Sequence, residues 1–147
     1  MPRIISFAHT TAALVNGFKT VTRRPWKDHY ARTFRAGEEL LAYDRTPRIG
    51  GVPVARIRLT ADPVKEPWAD APDADWEGEG FHYLFGRDVR EFHLYGSARE
   101  AWDLCKSGDA VEWVVRFELL ELLPGAAPYR DPRPLDQIPF ARLEDAA

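Results

Sequence analysis

Apolar and polar residues alternate clearly in two runs of the chain and recur at helical spacing in a third. In "VPVARIRLT" (52–60), Ala55, Ile57 and Leu59 share one side while Arg56, Arg58 and Thr60 share the other, the period of a half-buried strand. In "AVEWVVRFELLEL" (110–122), Val111, Trp113, Val115, Phe117 and Leu119 predict the inward face of a closing strand. In "SAREAWDLCKSG" (97–108), Ala98, Ala101, Trp102 and Cys105 fall on one helical face. Ser97 with Glu100 three residues later predicts a capping box there, and Gly108 a stop.

Shorter runs complete the outline. "RIISFA" (3–8) and "ELLAYD" (39–44) read as strands, the second after a turn at Gly37. "HTTAALVNGF" (9–18) offers Thr10 or Thr11 as a helix N-cap and Gly17 as the stop. "KTVTRRPW" (19–26) follows as a β-branched strand ended by Pro25. Residues 61–80 read as an acidic, Pro-rich connection ending in a helical turn, and "RTPRIGG" (45–51) as a basic loop. Five prolines within residues 124–139 predict a tail that wraps the surface without contributing a core element. The expected architecture is α+β: a small, strongly bent sheet or barrel with flanking helices over 1–123, and a Pro-rich tail over 124–147 packed on it or extending from it. Spacing leaves the strand order open.

Composition narrows the class. Hydrophobic residues make up 45% and aromatics 12%, the content of a folded domain. Every apolar run is too short or too charged to cross a bilayer, and "MPRIISFAHTT" lacks the long apolar region and cleavage site of a leader. A cytoplasmic protein without a membrane partner is the default expectation. The single cysteine, Cys105, excludes an internal disulfide and is expected in the core. His9, His29, His82 and His93 lie scattered without metal-binding spacing, and His9 reads as a helix N-terminal residue. There is no Walker A loop, G-x-G-x-x-G or G-x-S-x-G elbow, so no metal or cofactor is expected.

The charge is uneven. Residues 1–60 hold 11 Lys/Arg and 4 Asp/Glu, whereas 61–147 hold 9 and 19. That asymmetry fits a basic face for an anionic ligand, and equally two halves that neutralise each other on folding. The densest cationic stretch is "NGFKTVTRRPW" (16–26), with Lys19, Arg23 and Arg24 around Thr20 and Thr22. On a strand, Thr22 and Arg24 share a face. Lys19, three before Thr22, joins them only if the turn after Gly17 swings it back. Together they would set a hydroxyl beside an ammonium and a guanidinium, a set able to hold an anion or acyl oxygen or to activate the hydroxyl. The plainer reading is an edge strand whose charges discourage aggregation.

"GFKTVTRR", following a strand and a short helix, resembles the G-x-K-T-x-T-x-R signature of the ASCH domain, a PUA-like family. The resemblance extends through "FRAGEELLAYD" and "EGEGF" to "VEWVVRFEL", about four-fifths of the chain by rough alignment, and leaves the tail outside. It implies a small bent β-barrel with helices at the rim, and an association with RNA and modified nucleosides. Some compact members of the family, which this chain resembles more closely, are amidohydrolases that remove the acyl group from N4-acetylcytidine with a lysine, a threonine and a glutamate. By position in the signature these correspond to Lys19 and Thr22, and the glutamate to Glu79, with Glu77 or Asp75 as alternatives across a gap.

Two role assignments stay open. Either Lys19 is the base and Glu79 protonates the departing amine, or Glu79 is the base and Lys19 holds the oxyanion. Phe7, Trp26 and Tyr43 could stack on a pyrimidine, and Arg24, Arg45 and Arg48 could meet a ribose hydroxyl or phosphate. The plainer readings are core aromatics and a solvated loop. The longer acidic connection, the tail and the doubled Arg23–Arg24 depart from the compact members and leave the acyl group open. The leading expectation is an amidohydrolase acting on an N4-acylated cytidine or related modified pyrimidine nucleoside. The alternatives are a non-catalytic RNA-binding module and a single-strand RNA nuclease.

Overall fold

The computed structural model describes residues 1–85 and 97–146, and His93 lies outside them. In chain order the elements are β1 (Arg3–Ser6), α1 (Thr11–Val15), β2 (Val21–Arg24), α2 (Asp28–Ala31), β3 (Glu39–Tyr43), β4 (Pro53–Leu59), β5 (Val64–Pro67), α3 (Ala74–Gly78), α4 (Phe81–Leu84), α5 (Ala98–Ser107) and β6 (Val111–Leu122). The strands lie in the order β1-β3-β4-β6-β2, with β5 also on β6. β1 runs parallel to β3, and the other pairs are antiparallel.

β6 organises the sheet because its 12 residues are long enough to serve three partners. Its first half pairs with β2 and β5, and its second half with β4. Opposite the step from Arg56 to Ile57, β6 advances two residues, from Glu121 to Leu119. Such a bulge bends the strand and increases its twist. The result is a mixed α+β fold in which a curled, open half-barrel sheet is flanked by helices.

Two hydrophobic clusters form around this sheet. Inside the curl, Phe7, Phe34, Leu40, Val54, Ile57, Leu59, Val115 and Phe117 pack together, with Phe7 edge-on to Phe117 at 5.7 Å between ring centroids. The second cluster unites Trp68, Trp76, Phe81, Tyr83, Leu84 and Trp102 from the helical side. α1 is buried all round and links them, giving Leu14 and Val15 to the first and Ala12 and Ala13 to the second. Buried indoles keep their N–H groups satisfied, Trp68 donating to Glu112 Oε1 (2.9 Å) and Trp76 to the Ala141 carbonyl (2.7 Å).

β4 keeps the expected alternation, with Ala55, Ile57 and Leu59 buried. On α5, Ala98, Ala101 and Trp102 are buried and Ser97 accepts from the Glu100 N–H (3.1 Å), while Cys105 is half-buried. β6 corrects the reading at its start, where Val111 is exposed, and Val114 is buried on the face opposite Val115. The "connection" after residue 60 contains β5, which the acidic, Pro-rich composition concealed. The tail also differs from expectation. Ala126 is buried in the first cluster, Ile138 and Ala146 in the second, and Tyr129 packs against both. No helix among the described residues is long and apolar enough to cross a membrane.

Candidate functional site

Alternation along β2 sorts the cationic stretch onto two faces. Thr22 lies opposite Val115, which belongs to the core inside the curl, whereas Arg23 lies opposite Val114. Arg24 therefore shares the Thr22 face, and its Nε donates to Thr22 Oγ1 at 3.2 Å. The Arg24 guanidinium sits 4.9 Å from the centroid of the Phe7 ring. Lys19, just before β2, brings its Nζ to 6.0 Å from the same ring. Lys19 and Thr22 are only 3% and 5% exposed.

Lys19 Nζ donates to Glu79 Oε1 (2.9 Å) and to the Glu79 carbonyl (3.1 Å). The carboxylate reaches this place because two glycines flank it. The Thr20 N–H donates to the Gly78 carbonyl (2.7 Å), seating the end of α3 on the start of β2. A β-carbon at Gly78 would lie 2.9 Å from Val21 Cγ1. Gly80 has φ +90°, and a β-carbon there would lie 2.6 Å from the Ala13 β-carbon. Both positions need the missing side chain, one for space and the other for space and conformation.

Arg23 holds the other carboxylate oxygen. Its Nη1 donates to Glu79 Oε2 (2.8 Å), and its Nη2 to Asp75 Oδ2 (2.6 Å) and Glu66 Oε1 (2.9 Å). Arg116 clamps Asp75 through both oxygens at 3.0 Å. The Arg23 guanidinium lies 4.7 Å from the Trp68 ring, and its Nε is buried without a partner.

Burial pushes the Lys19 ammonium below its ordinary pKa; Glu79 opposes this, and Arg24 and Arg23 reinforce it. Burial also pushes Arg24 down to about 10, so it stays cationic at neutral pH. For Arg23, burial works against the charge, yet its bonds to Glu66, Asp75 and Glu79 hold the proton more tightly than usual. Asp75 is pushed up by burial, but the hydrogen bonds from Arg116 and Arg23 outweigh this and keep its carboxyl below the ordinary range.

The structure thus brings Lys19 to Glu79, and Thr22 to Arg24, with a cation of each pair near the Phe7 ring. Glu79 takes the position beside Lys19; Glu77 is exposed, and Asp75 serves Arg23 and Arg116. Phe7, at 1% exposure, is a core ring with cations along it and not an open stacking platform. Trp26 stacks on Phe34 at 4.5 Å. Tyr43 is half-buried and makes no ring contact among the described residues. Arg45 and Arg48 are exposed on their loop without an ion pair among the described residues. The unforeseen members are Arg23, Glu66 and Arg116. Strand alternation does place Arg23 on the face opposite Thr22, but nothing in the sequence pairs it with residues 66 and 75.

Much of the basic half is neutralised by the acidic half, through Lys19–Glu79, Arg23–Asp75, Arg56–Glu121 and Arg58–Glu118. Two neighbouring cavities, of about 910 and 410 Å³, lie beside α3 and share Phe18, Ala74, Glu77 and His82. Neither is lined by Lys19, Thr22 or Glu79. Among the described residues, no three His, Cys, Asp or Glu are grouped to hold a metal ion.

No family model matches the chain, and no curated protein does. A solved structure, protein EF3133 from Enterococcus faecalis V583, described under the family model DUF984, resembles it with a TM-score of 0.54 and 20% identity. The match covers 84% of this chain and 83% of that one. At that identity the likeness speaks for the shared half-barrel fold alone.

Proposed function

We propose that the half-barrel is of the ASCH, PUA-like type and that the protein is an amidohydrolase acting on an N4-acylated cytidine or a related modified pyrimidine nucleoside. The observation that carries this reading is the buried Lys19–Glu79 pair, with the Lys19 proton loosened by burial, just before the strand whose buried Thr22 hydroxyl already meets a guanidinium. In the proposed reaction Lys19 takes the proton of Thr22 as the Oγ1 attacks the acyl carbon. Arg24, which in the resting site donates from Nε to Thr22 Oγ1, turns to the acyl oxygen and stabilises the oxyanion that develops there. The C–N bond then breaks, the ring amine leaves with a proton passed through Lys19 and Glu79, and water releases the acyl group from Thr22 as a carboxylate. Glu79 accepts from two cations, which suits holding Lys19 in place. The lowered Lys19 pKa favours the assignment of Lys19 as base.

The substrate ring is proposed to take the place of the Arg24 guanidinium against Phe7, so binding requires Arg24 to turn from the ring toward the acyl oxygen while staying in the site. Incubating the protein with N4-acetylcytidine and following cytidine tests the reading. Turnover that Thr22→Ala abolishes supports it; no turnover, or full turnover in that variant, overturns it. Affinity for single-stranded RNA that falls steeply with salt would instead favour the binding module, through exposed cations such as Arg45 and Arg48.

A further inference from the structure

The two cavities beside α3 share four lining residues and are read as one cleft, lined on one side by the tail; it meets the Lys19 network only at its edge, through Asp75 and Arg116 in the smaller cavity. The tail is tied down there by the Ala141 N–H donating to the His82 carbonyl (3.1 Å), Trp76 Nε1 donating to the Ala141 carbonyl, and Arg99 Nη1 donating to the Leu143 carbonyl (2.8 Å). His82 lines both cavities, its ring stacked on Phe140 at 5.0 Å and 19°, with Phe18 edge-on at 6.1 Å.

Its two nitrogens differ. Nδ1 is buried and has no hydrogen-bond partner. A buried N–H without an acceptor is rarer and costlier than a buried lone pair, so the proton belongs on Nε2. Burial also keeps the ring from taking a second proton, although Glu77 opposes this. Nε2–H, which makes no hydrogen bond among the described residues, is then the donor that this ring can offer a ligand. Beside it, the exposed Glu77 carboxylate lines both cavities and has no ion-pair or hydrogen-bond partner among the described residues; it is an acceptor. Phe140 and Leu135, 38% and 67% exposed, supply the apolar wall.

We propose that this cleft is a binding site for a planar N-heteroaromatic whose edge carries a primary amine next to a ring nitrogen. The amine donates to Glu77, the ring nitrogen accepts from His82 Nε2–H, and the ring face packs against the apolar wall. The 910 Å³ volume accommodates a ligand of nucleoside size with room for a substituent.

Adenosine and inosine are the discriminating probes, because inosine presents a carbonyl and a ring N–H where adenosine presents an amine and a ring nitrogen. Binding is read by NMR titration of the full chain, following the Trp76 indole and His82 ring signals. Adenosine is expected to shift both, and inosine to bind at least about tenfold more weakly, since a reversed edge leaves polar groups unpaired. His82→Phe keeps the stacked ring but removes the donor, and Glu77→Ala changes an exposed residue without threatening the fold. Each is expected to weaken adenosine binding about five- to tenfold. Equal binding of the two nucleosides, or unchanged affinity in Glu77→Ala, overturns the proposed edge recognition. Absence of shifts at millimolar adenosine overturns the site. Thr22→Ala is expected to leave adenosine binding unchanged, so this test stands apart from that of the deacylase; loss of binding in that variant would also overturn a separate site.

Discussion

Glu77 and Glu79 are two residues apart in one short segment, yet they live in opposite chemical settings. Glu79 is buried, with both oxygens accepting from cations. Glu77 is exposed at a cleft and keeps its acceptors free among the described residues. The same side chain is thus a fixed counter-charge in one place and an available ligand group in the other. The difference lies in what surrounds them. Around Glu79, water is excluded and every charge must be met within the protein. Around Glu77, water meets the charge until a ligand replaces it.

Deleting each group tests that contrast. The largest effect is expected from Thr22→Ala, which should reduce deacylation of N4-acetylcytidine to background while thermal unfolding stays within a few degrees of the parent. Lys19→Ala should lower kcat/KM at least ~10²-fold, the low end for a group moving a proton, and a change of less than a few fold would make Lys19 a purely structural charge.

Next in size, Glu79→Ala should destabilise by about 3–5 kcal/mol in urea unfolding, because it leaves the buried Lys19 without its carboxylate and removes one of the three carboxylates on Arg23. Glu77→Ala should stay within about 0.5 kcal/mol. Similar values for the two variants would erase the distinction.

The pH dependence gives a finer test. If Lys19 is the base, the rate rises with pH through the Lys19 pKa, which burial has lowered, and then levels off. Stability carries its own signature from Asp75. Its folded pKa lies below the unfolded value of about 3.9, so its contribution is complete above that value and is lost as pH falls through the folded pKa. Removing the carboxylate's charge with Asp75→Asn should flatten that acid limb in a urea series. The smallest effect concerns Cys105, whose thiol burial pushes up to about 11. At pH 8 roughly one thiol in a thousand is ionised, so iodoacetamide should label it slowly in the folded protein and rapidly in urea.

Much of the frame was legible in advance, because β4 and α5 carry their burial pattern in their own periodicity. β5 was not, since its pairing partner lies over 40 residues away in sequence and its own four residues, Val64–Pro67, are too few to show alternation and end in a proline. Lys19 and Thr22 could be singled out from a local motif. That Glu79 and not Asp75 meets Lys19 depends on how α3 lands on β2, a contact made by glycines whose lack of a side chain leaves no hydrophobic pattern to read. The tail misled for a related reason. Its prolines signal an absence of regular structure, yet isolated residues such as Ala126 and Ile138 can still plug a core.

Gly80 turns this into a diagnostic for other chains. Its left-handed backbone and the near contact with Ala13 leave no room for even a methyl group. A relative bearing any side chain at that position would have to lift the following turn off the first helix, and would carry the carboxylate away with it. Such a chain could keep the whole lysine–threonine signature and still lose the Lys19–Glu79 pair on which the proposed reaction depends, so under that proposal the glycine is the more stringent marker when sequences of this shape are sorted.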